Sequence, residues 1–193
     1  MRCRRPVGLA GAVLALLALL ASSPATSGEI EGVRFDDRIE AGGDTLELHG
    51  LALLRYRVVF RAYVAGLYLR DGQDASRVLD DVPKRLELSY FWGIAGADFG
   101  PAADQVLERS FPSTVLAPLR ERLDRLHALY RDVEPGDRYA LTYIPGRGTE
   151  LALNGTPLGT IEGADFAAAY FAIWLGRDPI DASFRDTLLA GRR

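Results

Sequence analysis

The sequence is nearly free of cysteine. Its 193 residues contain one, Cys3, inside a leader segment that is expected to be removed. The rest of the chain therefore has no thiol, which excludes a disulfide framework, a thiol nucleophile and sulfur-ligated metal. Histidine is as scarce, with only His49 and His127, widely separated. Two distant histidines and no cysteine give no metal-ligand spacing, and no cofactor is expected. No Ser, His and Asp arrangement can be picked out. An excess of basic residues is also missing. Lys plus Arg number 23 against 26 Asp plus Glu, for a net charge of -3, so there is no electrostatic footprint for nucleic acid. Gly146-Arg147-Gly148 is read as a hairpin turn with no helix after it, and so it is no phosphate loop.

What is present begins with an export pattern. Arg2, Arg4 and Arg5 precede the apolar run Leu9–Leu20, and small residues follow through Ser27. A basic start, a short apolar run and a small-residue exit make a secretory signal peptide. The run is too short to cross a bilayer, which takes about 20 residues. The expected division is a signal peptide at 1–27 and one domain at 28–193, with no stable membrane anchor after cleavage and a periplasmic or secreted location. Removal takes three arginines and no acid, leaving 20 basic residues against 26 acidic ones and a charge of -6.

Along the domain, runs of strands alternate with blocks of helices. Val33–Phe35 and Asp44–His49 read as strands, with Gly50 as punctuation. Lys84–Trp92 alternates apolar and polar residues, a strand pattern. Pro101–Arg109 and Pro118–Arg131 read as helices; the second carries Leu119, Leu123, Leu126 and Tyr130 at spacings of three and four. Asp137–Ile144, Thr149–Leu153 and Pro157–Glu162 are three more strands, the last two joined by Asn154-Gly155, a strong hairpin turn. Ala164–Leu175 is an apolar helix capped by Gly176, and a last helix is expected from Asp178-Pro179 to Leu189. Hairpins imply antiparallel pairing, so the fold class is α+β: helices layered on one large antiparallel sheet, an open-faced sandwich.

The longest strand pattern is Arg55–Leu69, RYRVVFRAYVAGLYL. It is long enough for one strand across a whole sheet, and one face then carries Arg55, Arg57, Val59, Arg61, Tyr63, Ala65, Leu67 and Leu69. The other face, from Tyr56 to Tyr68, is almost wholly apolar. An apolar surface that ends in arginines and a tyrosine would seat a ligand with an acid group.

Several stretches together resemble the chalcone isomerase fold in its bacterial exported branch. They are Phe60–Leu69, Gly136-Asp137, Tyr143–Thr149, Asn154-Gly155 and Phe171–Ile180. The resemblance implies a ligand cleft between sheet and helices. It also implies one of two activities: closure of a flavanone ring, as in the plant isomerases, or fatty-acid binding, as in related plastid proteins. The isomerases have a threonine on the long central strand where this chain has Tyr63. Their tyrosine and asparagine at the start of the helical layer match Phe99 and Val106 most nearly, and their late hydroxyl matches Ala164. Phe99 has no hydroxyl to position a water. The fatty-acid binders share the tyrosine and keep an arginine for the carboxylate. The expectation is therefore a non-catalytic binder of a fatty acid or similar amphiphilic carboxylate. Arg55 and Tyr63 would hold the acid, with Arg57 and Arg61 as alternatives to Arg55 and Phe99 nearby. Tyr90, Phe91, Trp92 and the Phe166–Trp174 helix would wall the cleft. A second reading is an intramolecular lyase or isomerase of a small phenolic substrate, and a third is a partner-binding envelope protein that uses the arginine face.

Overall fold

The computed structural model of the protein describes residues 27–56 and 60–192. The expected signal peptide, Ser27 apart, and Arg57 lie outside the described residues. Among the described residues no helix is long and apolar enough to cross a membrane.

Seven strands form one sheet in strict chain order, each antiparallel to the next: β3 (Arg38–Ala41), β4 (Asp44–Tyr56), β5 (Phe60–Leu69), β6 (Lys84–Tyr90), β7 (Arg138–Ile144), β8 (Gly148–Leu153) and β9 (Thr156–Ile161). A separate hairpin, β1 (Ser27–Ile30) and β2 (Val33–Asp36), turns at Glu31-Gly32, both with positive φ. The helices are α1 (Gly96–Ser110), α2 (Ser113–Leu116), α3 (Arg120–His127), α4 (Ala164–Leu175) and α5 (Ala182–Ala190).

The helices cover one face of the sheet and build the main core. Along β5, Tyr63, Ala65, Leu67 and Leu69 join it, with Leu86 and Leu88 of β6 and Tyr139 and Leu141 of β7. Val64 and Tyr68, pointing the other way, join Phe35, Leu46 and Leu48 under the small hairpin. Gly66 lies among these, because a Cβ there would fall 2.8 Å from the Phe35 ring. Each face of β5 is thus buried, as its near-continuous apolar sequence requires. The α+β architecture is as expected, with the β1–β2 hairpin as an addition on the second face.

The expected single strand Arg55–Leu69 is corrected. Its first residues end β4, its later ones begin β5, and Tyr56 pairs with Phe60 across a hairpin. Nothing in Arg57-Val58-Val59 carries a turn signature, whereas Gly50, read as punctuation, sits inside β4. Gly50 serves a different need: the Leu188 carbonyl of α5 packs on it, 2.0 Å from where a Cβ would stand.

Helix starts differ for a related reason. α1 begins five residues before Pro101, because the Asp132 carboxylate accepts from the Gly96 N–H at 2.8 Å. That cap comes from 36 residues away, so no local motif announces it. The segment read as Pro118–Arg131 is a broken series, α2, a 3-10 turn at Ala117–Leu119 and α3. The last helix starts at Ala182, where the Asp181 side chain accepts from the Phe184 N–H at 2.8 Å. Asp178 instead takes the Arg109 guanidinium.

Lys84, at the start of β6, is fully buried. Its ammonium donates to the Asp80 and Val82 carbonyls at 2.8 and 3.2 Å and stands 4.6 Å from the Tyr143 ring centre. Burial pulls its pKa down from 10.5 to about 8.

Replacing Gly50 by alanine should push α5 off β4. The expected outcome is a loss of about 3 kcal/mol, read as a lower urea midpoint with an unchanged slope.

Candidate functional site

A cavity of about 200 Å³ lies between the sheet and the helices. Its floor follows from the strand registers. Tyr63 pairs with Tyr90, Leu88 with Tyr139, and Leu141 with Leu151, so three adjacent rows of side chains step diagonally from β5 to β8 on the helix-facing side. Its roof follows from helical spacing. Phe99, Ala102 and Ala103 of α1, and Tyr170, Ile173 and Trp174 of α4, recur at three and four residues and so share a face. Ile94, Tyr130 and Ile180 come from connecting segments, and the exposed Asp98, Ala102 and Ile180 mark the mouth.

Aromatic rings set the shape. Tyr63 and Tyr90 meet edge to face at 5.5 Å, Tyr90 and Phe99 at 5.7 Å, and Phe99 stacks on Tyr130 at 4.7 Å. These are the offset and T-shaped contacts that ring quadrupoles favour. Each buried hydroxyl has its own arrangement. Trp174 Nε1 donates to the Tyr63 hydroxyl at 2.9 Å, and the Tyr130 and Tyr170 hydroxyls bond each other at 2.9 Å. Tyr139 bonds the Arg131 backbone, accepting from its N–H and donating to its carbonyl. The Tyr90 hydroxyl has no bonding partner among the described residues. Burial pushes the pKa values of Tyr63, Tyr90, Tyr130 and Tyr170 well above the ordinary 10.0, so all four stay protonated.

The residues singled out in the sequence part company. Tyr63 and Phe99 line the cavity. Arg55 and Arg61 do not, and the shared face expected for Arg55 and Tyr63 is corrected. Leu54 pairs with Tyr63 but Arg55 pairs with Arg61, which leaves Ala62 as a β-bulge. The extra residue turns Arg61 to the face away from the helices. There both arginines reach Glu31 of the small hairpin, at 3.6 Å from Arg55 and 3.0 Å from Arg61. Arg61 also lies over Phe91 at 4.8 Å. Arg57 lies outside the described residues. Of the expected walls, Tyr90 and α4 are in place. Phe91 faces the second core, and Trp92 is 57% exposed, donating to the Arg61 carbonyl at 2.7 Å. Val106 is buried in the main core, and Ala164 opens α4; neither lines the cavity.

The sequence points to the helix that carries Tyr170 and Trp174 as a wall, but it does not single out Tyr130, Tyr139, Ile94 or Ile180 for the site. Alternation in Asp137–Ile144 could have placed Tyr139 on the helix-facing side. Tyr130 ends the stripe of Leu119, Leu123 and Leu126, which marks it as inward-facing although the helix stops at His127; the two isoleucines sit on irregular segments, where no periodicity applies. No lysine, arginine or histidine lines the cavity among the described residues. Nor do the described residues include a group of three or more His, Cys, Asp or Glu placed to hold a metal. The site can enclose an apolar body and offer phenol hydroxyls to one polar end.

The buried hydroxyls carry a stability signature. Their unfolded value is 10.0 and their folded values are higher, so the stability they support is complete below pH 10.0 and is lost as pH rises past it. Each group should remove up to ~1.4 kcal/mol per pH unit there. The urea midpoint should fall steeply from pH 10 toward pH 11, and the Tyr63→Phe and Tyr170→Phe variants should fall less steeply.

The whole described domain matches one family. The match is to the chalcone isomerase-like family, over residues 27–190. No curated protein matches the sequence. Among solved structures, a fatty-acid-binding protein of Arabidopsis thaliana is similar, with a TM-score of 0.66, 16% identity, and coverage of 85% of this chain and 96% of that one. At that identity the likeness speaks to the fold. With its helices on one face of a meandering antiparallel sheet and a cavity between the layers, the chain belongs to the chalcone isomerase-like family.

Proposed function

We propose that the protein is a non-catalytic binder of a fatty acid or similar amphiphile, held between the sheet and the helices after export to the periplasm or beyond. The observation that carries this is the cavity lining: leucine, isoleucine, alanine and aromatic side chains, with phenol hydroxyls as the main polar groups. Such a lining suits an apolar body with one polar end. The similar Arabidopsis protein, which is a fatty-acid binder, supports the same reading. The export step rests on the leader sequence alone.

The volume bears on the ligand's shape. About 200 Å³ is below the roughly 300–1,000 Å³ typical of sites for drug-sized molecules. A slim acyl chain entering past Ile180 suits it better than a rigid multi-ring body. Isomerisation is disfavoured on chemical grounds. Ring closure needs a base or a positioned water and a polarised carbonyl. Phe99 is the nearest match to the isomerases' tyrosine, and no cation lines the cavity among the described residues.

Native mass spectrometry of mature protein purified without delipidation should show a bound amphiphile, and added chalcone should keep its chromophore. A fluorescent fatty-acid probe should bind the wild-type chain. Ala102→Trp, which blocks the mouth from an exposed position, should weaken it at least about tenfold, a loss of about 1.4 kcal/mol. Arg55→Ala should leave it unchanged. An empty protein that also refuses the probe would overturn the reading.

A further inference from the structure

Among the described residues the cavity offers donors but no positive charge. Tyr63 accepts from Trp174, so its own proton is unspent. Tyr130 and Tyr170 share one hydrogen bond, so one of their two protons is unspent. Tyr90 spends none within the described residues. Three phenol O–H groups can therefore point at a ligand's polar end, while the side-chain acceptors of the described lining are these same phenol oxygens, that of Tyr139 and the carboxylate of Asp98 at the mouth.

The charges that bear on this end are mostly acidic. Asp98 of α1 lines the mouth. Asp181, before α5, acts on Tyr63, and Asp104 of α1 acts on Tyr170. His127 of α3 lies beside Tyr170, and burial lowers its pKa below the ordinary 6.5, so it adds no cation at neutral pH. The guanidiniums nearby are engaged elsewhere: Arg120 by Asp104 and Asp124, Arg131 by the Ala128 and Tyr130 carbonyls, and Arg109 by Asp178 and the Pro179 carbonyl. Tyr139, also in the lining, has its hydroxyl committed to the Arg131 backbone.

An ionised carboxylate placed here would lose its water and gain no cation, a costly exchange even with good donors. A neutral oxygen loses far less and accepts the same O–H bonds. We infer that the cavity binds its amphiphile with an uncharged, hydrogen-bond-accepting head: an alcohol, ester, aldehyde or protonated acid, in preference to a carboxylate. This rests on the amphiphile-binding reading and narrows it. A fatty acid then binds by taking up a proton, and the sign follows from linkage. Only the acid form enters, so its apparent affinity falls as pH rises above the free acid's pKa, about 4 to 5.

The experiment compares dodecanoic acid with dodecan-1-ol on the mature protein, by displacement of a neutral fluorescent probe from about pH 5.5 to about pH 8.5. The acid should weaken about tenfold per pH unit, while the alcohol stays constant. Tyr90→Phe should weaken the alcohol about fivefold to tenfold, the loss of one hydrogen bond. A pH-independent acid affinity, or an acid that outbinds the alcohol at the alkaline end, would overturn the neutral-head inference and leave amphiphile binding standing. An alcohol indifferent to Tyr90→Phe would also overturn it, since the donors would then not be used. If neither compound binds at any pH, both readings fall together.

Discussion

A hydroxyl sealed in an apolar interior must find a partner or keep a polar guest, and most of this site is arranged by that requirement. Trp174 Nε1 on Tyr63 pins α4 to β5. The Tyr130–Tyr170 bond pins the segment after α3 to α4. Tyr139 anchors the Arg131 backbone, and the neighbouring Asp132 caps α1. These few bonds hold the three helical pieces of the roof at fixed places over the sheet. Packing supplies most of the energy, but the hydroxyls choose the register. The space they leave over Tyr90 is part of what makes the site a site.

The layer outside is tied by charge rather than by burial. Arg122 grips Asp165 with two parallel bonds of 2.8 and 2.6 Å, and Arg125 reaches Glu162 at 2.7 Å. The first pair joins α3 to the start of α4 and the second joins α3 to the turn just before it. The Arg122 fork lowers the Asp165 pKa, as a bidentate pair should. Such partly exposed pairs add modest stability, yet they keep two roof elements from sliding apart.

Much of the fold was legible because its strands obey the period of two and its hairpins are local. β6 to β9 and α4 follow the alternation, Asn154-Gly155 and apolar signals to within a residue or two. Two of the misreadings share one cause. Gly50 looked like a stop but answers a helix backbone pressed against it from 138 residues downstream. Asp132 caps a helix that begins far before it. In both, a tertiary contact decides a local structure, and no window of sequence contains both partners. The site was half legible. Tyr63 was found on the strand pattern and Phe99 through the family resemblance, whereas Arg55 was misplaced by an unsignalled break between β4 and β5 and Arg61 by a bulge that alternation alone does not reveal.

That bulge at Ala62 bears on how relatives of this chain should be compared. In an unbroken ladder Ala62 would oppose Arg55, and Arg61 would share the face of Tyr63. Two homologues could therefore keep the same arginine and tyrosine, at the same spacing, and still differ in whether a cation reaches the cavity. The ligand's charge would be set by where one strand hiccups rather than by which residues it carries. An alignment that matches letters would record such proteins as identical at the site, and only the hydrogen-bond register of β4 against β5 would tell them apart.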